Sequence, residues 1–200
     1  MSWRERWTRL WQRPRSRWLI GIPIGGFLAV VVGAMLWEGM HFSLRATNTM
    51  EFCVSCHEMN EFVFEEYKET PHYQNASGVR AGCPDCHVPK ALVPKVARKI
   101  QAALNEVPGH FFGVIDTREK FEAHRPEMAK NVWSGMKENN SRECRSCHSY
   151  EAMSAQMQGR SASKKHSVEW RERFGDTCID CHYGIAHKMP EGLTPADLEE

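Results

Sequence analysis

The chain has 200 residues, 42% hydrophobic and 26% charged, with a mean hydropathy of −0.54 and a formal net charge of +1. That length allows one domain, or one domain plus a membrane segment. Near-neutrality conceals an uneven layout. Residues 1–17 carry six arginines against Glu5, residues 18–37 carry no charge, and the remainder holds 20 basic against 24 acidic side chains. An acidic body excludes nucleic acid as a partner, since phosphate binding needs a basic face. All eight cysteines fall in four Cys-x-x-Cys-His pentads, which excludes a conventional cytosolic enzyme and most disulfide scaffolds.

In chain order, residues 1–17 form a basic and aromatic head on the cytoplasmic side. Trp3, Trp7 and Trp11 recur every four residues among the arginines, giving an aromatic face suited to the headgroup layer. Residues 18–37, WLIGIPIGGFLAVVVGAMLW, then form an uncleaved signal anchor. Twenty helical residues span a hydrocarbon core of about 30 Å. A cleaved signal has a shorter apolar region and a small-residue cleavage site, whereas this run ends in Trp-Glu-Gly-Met-His. Trp18 and Trp37 sit at its ends as an aromatic belt, and Pro23 lies near the first turn. The arginines hold the N-terminus in the cytoplasm, so residues 38–200 lie outside, in the periplasm of a Gram-negative host. Gly21, Gly25, Ala29 and Gly33 make a small-residue stripe that could pair two copies as a homodimer.

The exported body is expected to be mainly α with much irregular loop. Helices are expected over residues 60–69, 91–106, 119–139 and 162–174, with a kink or boundary near Pro94 and near Pro126. Apolar residues are too sparse for a large core. The pentads fall in two pairs, giving two similar halves at about residues 50–110 and 140–190. His72 precedes Cys83 by eleven residues and His166 precedes Cys178 by twelve, so each half has a histidine in a matching place.

Each pentad carries the c-type haem attachment signature. Cys53 and Cys56, Cys83 and Cys86, Cys144 and Cys147, and Cys178 and Cys181 supply the thioethers for four covalent haems. His57, His87, His148 and His182 are the proximal ligands. Zinc sites need no histidine after every cysteine pair, and disulfides would close very small loops. Four porphyrins also supply the apolar interior the chain lacks. A low-spin haem takes a second strong ligand, His or Met. His72, His166 and His187 are the distal candidates, while His41, His110 and His124 read as surface or packing residues. Three distal candidates for four irons leave one short. The odd haem is the first, where Met59 follows the pentad and could ligate or shield the iron.

Five stretches carry a resemblance that covers nearly the whole chain: EFCVSCHEM at 51–59, GVRAGCPDCHVP at 78–89, FGVIDT at 112–117, KFEAHR at 120–125 and TCIDCHYGIAH at 177–187. The chain resembles the NapC/NirT-type tetrahaem cytochromes c, membrane-anchored quinol dehydrogenases. The resemblance implies oxidation of membrane quinol and electron delivery to a periplasmic reductase, with nitrate reductase favoured and nitrite reductase second. It implies an unusual first haem near Met59, and a quinol site beside it with an acid and a lysine on the helix after the second pentad. Glu106 matches the acid and Lys99 the lysine, with Lys95 behind it. The chain is one residue longer than typical relatives just before Glu106. Lys90 stands where many relatives carry a histidine.

Chemistry agrees with the first reading. Quinol releases two electrons and two protons, several one-electron haems can split the pair, and a carboxylate can take protons. The alternatives are a passive relay without a quinol site and a terminal reductase of a small nitrogen oxide at an open first haem. The first pentad begins sixteen residues beyond Trp37, near the lipid surface where quinol arrives, and this favours quinol oxidation.

Overall fold

The computed structural model describes residues 2–12 and 22–193. They form two compact units, Met1–Thr47 and Asn48–Glu200. The described residues are mainly helical and contain no strand, as expected from the lack of alternating patterns.

In the N-terminal unit, α1 (Trp3–Leu10) starts at a capping box: Ser2 accepts from the Glu5 N–H, and the Glu5 carboxylate accepts from the Ser2 N–H. The Trp3 and Trp7 rings meet edge to face at 5.5 Å, on the aromatic face expected from their spacing. The helix α2 (Ile24–Ala46) has 23 residues and is long and apolar enough to cross a membrane. Its bounds differ from the expected 18–37. Pro23 has no N–H to donate and stands just before the helix, which then continues past Trp37 to Ala46. Trp18 and Gly21 lie outside the described residues.

The small-residue stripe is also used differently. Gly25 is buried, and a Cβ on it would meet the Leu10 carbonyl oxygen at 2.8 Å and the Trp11 ring at 3.0 Å. Its missing side chain therefore lets the end of α1 pack against α2. Gly33 has open space around it.

The second unit is a series of short helices: α3 (Met50–Cys53), α4 (Glu65–Lys68), α5 (Cys83–His87), α6 (Leu92–Gln101), α7 (Val107–Phe111), α8 (Arg118–Glu138), α9 (Arg142–Arg145), α10 (Arg160–Lys165), α11 (Val168–Phe174) and α12 (Cys178–Cys181). Wide π-type turns lead into α4 at Met59–Phe64 and join α6 to α7 at Ala102–Glu106. A wide turn is how a helix absorbs one extra residue.

Two helix expectations are revised. Pro126 does not break α8, which runs through it for 21 residues. The segment 162–174 is broken at His166 and Ser167, because the Ser167 hydroxyl accepts from the Trp170 N–H and starts α11 anew.

The apolar core is as small as expected. Among the described residues it consists of Phe62, Tyr67, Phe121, Trp133 and Ile179. Phe62 and Phe121 pack at 5.3 Å, and the Arg118 and Arg125 guanidinium groups lie over them at 4.7 and 5.0 Å. With so few apolar anchors, each carries a large share of the packing. Phe121→Ala is expected to cost about 3 kcal/mol or more, read as a lower urea midpoint by circular dichroism of the holoprotein.

Candidate functional site

The second, third and fourth pentads are each built around a single helical turn, whereas in the first α3 ends at Cys53 and the chain turns before His57. Residues at i, i+3 and i+4 share one face of such a turn, so two cysteines and the following histidine project together. In α5 this turn is closed by the Asp85 carboxylate, which accepts from the Gly82 N–H at 2.8 Å. In α12 Asp180 does the same with the Thr177 N–H at 2.7 Å. At the third pentad the His148 N–H bonds the Cys144 carbonyl at 2.9 Å. The fourth pentad is docked from outside. Ser141 is fully buried and left-handed, its hydroxyl accepts from the Ile179 N–H at 3.1 Å, and Lys137 pairs with Asp180 at 2.9 Å.

Every pentad histidine faces a second imidazole. Ring centres are 6.1 Å apart for His72 and His148, 6.2 Å for His87 and His187, 6.0 Å for His166 and His182, and 5.9 Å for His57 and His110. A metal-bound imidazole nitrogen lies about 2 Å from its ion, so two imidazoles on opposite sides of one ion have ring centres roughly 6 Å apart. The spacing therefore fits one iron per pair. The donors also have the right charge state. Burial pushes His87 down to about 4 and lowers His182 and His187 as well, which keeps these rings neutral, the form that binds metal. The Nδ1 of His72 is buried without a hydrogen-bond partner, while His166 Nδ1 lies 3.0 Å from Gln158 Oε1.

These pairs do not respect the two sequence halves. His166 faces the second pentad of its own half. His72, in the matching place, faces the third pentad instead of the second, and His187 crosses back to His87. The halves exchange ligand-type side chains.

The first pair differs from the others. Glu58 is only 2% exposed, and its Oε1 lies 2.7 Å from His110 Nδ1 and 3.2 Å from His57 Nε2. A carboxylate thus binds both rings, and its second oxygen has no partner. His110 is the residue that sequence reasoning left among the surface histidines. The signal that could have found it was the shortage of one distal ligand for four irons. Met59 follows Glu58 and opens the wide turn before α4. His41 stacks on Trp37 at 4.5 Å, and His124 bonds the Lys120 carbonyl at 2.8 Å.

A buried ion cluster holds the His187 segment. Arg125 makes two bonds to Glu66, at 2.7 and 2.9 Å, and two to Glu122, at 2.6 and 2.9 Å. Glu66 in turn accepts the Lys188 N–H at 3.0 Å. Burial opposes the charge on Glu66, yet the hydrogen bonds from Arg125 and Lys188 and the Arg125 charge hold its carboxyl below the usual range.

Glu106 and Lys99 sit on the same helical run, Lys99 before the wide turn and Glu106 at its end. Glu106 accepts from Arg98 at 2.6 Å, and the Lys99 ammonium lies 5.8 Å over the Phe52 ring. Their charges, with that of Glu51, are felt at Cys53, so both belong to the surroundings of the first pentad. Burial lowers the Lys99 amine. A cleft of about 480 Å³ opens on another side of that pentad, lined by Met50, Val54, Phe64, Tyr73 and Arg80.

Residues 15–192 match the NapC/NirT cytochrome c family, N-terminal region. The chain is 50% identical over 181 residues to the cytochrome c-type protein NapC of Escherichia coli strain K12, covering 90% of this chain and 88% of that protein. It is 49% identical over 190 residues to the denitrification system component NirT of Stutzerimonas stutzeri, covering 94% of this chain and 91% of that protein. Against the cytochrome c-type protein TorC of E. coli it is 45% identical over 94% of this chain, which spans 47% of that longer protein. No solved structure matches the chain.

Arg125→Met is expected to strand the Glu66 carboxylate in the interior at a cost of about 3 kcal/mol, with thermal unfolding of the holoprotein as the measurement. Replacing Arg125 and Glu66 together by apolar residues should recover much of that loss.

Proposed function

Because the chain belongs to the NapC/NirT cytochrome c family, we propose that it is a four-haem quinol dehydrogenase of the inner membrane, with its haem domain in the periplasm. Family membership makes it an electron-transfer cytochrome with covalent haem c, and α2 is its membrane anchor. The observation that carries the finer reading is the set of three imidazole pairs, at the second, third and fourth pentads, with the spacing of a shared iron.

Each bound haem supplies one-electron chemistry. The eight pentad cysteines hold the four groups in place. His87 with His187, His148 with His72, and His182 with His166 would hold three of the groups. At the first pentad Glu58 engages the Nε2 of His57, so Met59 and His110 would be the side chains that hold or shield the first group. Lys99 holds a quinol oxygen and Glu106 takes a proton as the electrons leave. Arg98 holds the Glu106 carboxylate in place until the quinol displaces it. This arrangement favours quinol oxidation over a passive relay, because acid and lysine both lie about the first pentad. The arginine-rich head stays in the cytoplasm. The partner is a periplasmic reductase, nitrate reductase first and nitrite reductase second. Pairing of two copies through Ala29 and Gly33 is left available by their exposure, whereas Gly25 is already covered by α1.

Two measurements test this reading. Anaerobic mixing of the full-length holoprotein with a soluble quinol should reduce the haems, and Glu106→Gln should slow that reduction by about a hundredfold. Failure of quinol to reduce a protein that dithionite reduces normally would leave the passive relay. His187→Ala should convert one haem from low to high spin in electron paramagnetic resonance, while His124→Ala leaves every haem signal in place. An unchanged spectrum for His187→Ala would remove the proposed pairing with His87.

A further inference from the structure

The run from α6 through the wide turn to α7 carries an apolar face that no described residue covers. Val93, Ile100, Leu104, Val107 and Phe111 recur at three, four and seven residues, which puts them on one side of the helix. Their exposure runs from 50% for Val107 to 79% for Val93, and Phe112 at the end of the run reaches 83%. In a domain with so few buried apolar side chains, leaving six large ones in water is costly, at about 25 cal/mol for each Å² of apolar surface. A patch of this kind marks a place of contact.

Three things on the helix say what covers it. Lys95, Arg98 and Lys99 stand off the apolar side, against the single acid Glu106, so the flanks are net basic. The end of the run is aromatic, with Phe111 and Phe112 adjacent. The apolar anchor α2 ends at Ala46, seven residues before Cys53, so the domain that bears the face is tethered by a short stretch of chain to a membrane-spanning helix. An apolar stripe, basic flanks and terminal aromatics are the make-up of a helix that lies in the plane of a membrane interface, where lysine and arginine stems reach anionic headgroups.

We propose that the α6–α7 run is a second membrane contact, lying in the interface with Val93, Ile100, Leu104, Val107, Phe111 and Phe112 in the acyl boundary and Lys95 and Lys99 at phosphate level. The occupant is anionic phospholipid. A contact of this kind would hold Glu106 and Lys99, on the same run, at the depth from which a membrane-dissolved reductant arrives. It deepens the quinol reading, but its own evidence is independent of it.

The test uses the full-length holoprotein in vesicles of phosphatidylethanolamine and phosphatidylglycerol, with no quinol and no reductase present. The photo-crosslinking residue p-benzoylphenylalanine replaces Leu104 in one sample, Phe112 in a second and Met157 in a third. Met157 is 90% exposed and lies outside the run. Absorbance of the intact haems verifies folding in each case. Phospholipid adducts at Leu104 and Phe112, about tenfold above those at Met157, are the expected result. Lipid yields equal to that of Met157, or adducts joining two copies of the chain instead, would overturn the proposal. Since no quinol is present, failure here leaves the quinol site standing, and failure of quinol to reduce the haems leaves this contact standing.

Discussion

The C-terminal unit, Asn48–Glu200, depends on histidines held in facing pairs. A domain of this size ordinarily folds around a sizeable apolar core, and this one buries few large apolar side chains. What remains is a chain of one-turn helices whose mutual positions are set where two imidazoles, far apart in sequence, share a gap of about 6 Å. Three of these pairs cross large sequence separations or short ones without regard to the repeat. The crossing of His72 and His187 between the halves locks them together in a way that two self-contained dihaem modules would not be locked.

Polar interactions supply the secondary restraints. The bidentate Arg125–Glu66 pair lies between α8 and α4 and reaches the Lys188 peptide, so it bears on the segment that carries His187. Ser141, in a left-handed turn after α8, fixes the backbone of the last pentad through Ile179. These contacts share a logic. Each ties a long or internally bonded helix to a segment that has little secondary structure of its own. The buried carboxylate of Glu58 belongs to the same class of restraint but acts differently. It occupies the Nε2 of His57 as well as the Nδ1 of His110, and so it sets the first pentad apart from the rest.

Function follows from that asymmetry. Three equivalent bis-imidazole positions suit passage of electrons, since a firmly held ligand pair changes little between oxidation states. The exceptional position is the one next to the anchor in sequence and next to Lys99 and Glu106 in space. On the proposed reading, substrate chemistry and long-range transfer fall to different parts of one small domain. The exposed apolar run that carries Glu106 adds a reason for the site to work at a membrane, beyond the presence of the anchor.

Much of this was legible in the residues alone. The pentads point to covalent haem c, which family membership supports, because thioether attachment and an adjacent imidazole are local requirements met within five residues. The anchor is legible because twenty apolar residues have few other uses, although Pro23 moved its start and the helix ran on to Ala46. Other features were decided only by tertiary structure. The partner of each histidine depends on contacts across as many as a hundred residues, as with His87 and His187, and no spacing rule encodes them. His110 looked ordinary in sequence because its meaning comes from Glu58, 52 positions away. Local chemistry is written in short motifs, whereas which distant groups meet is settled by how the helices pack.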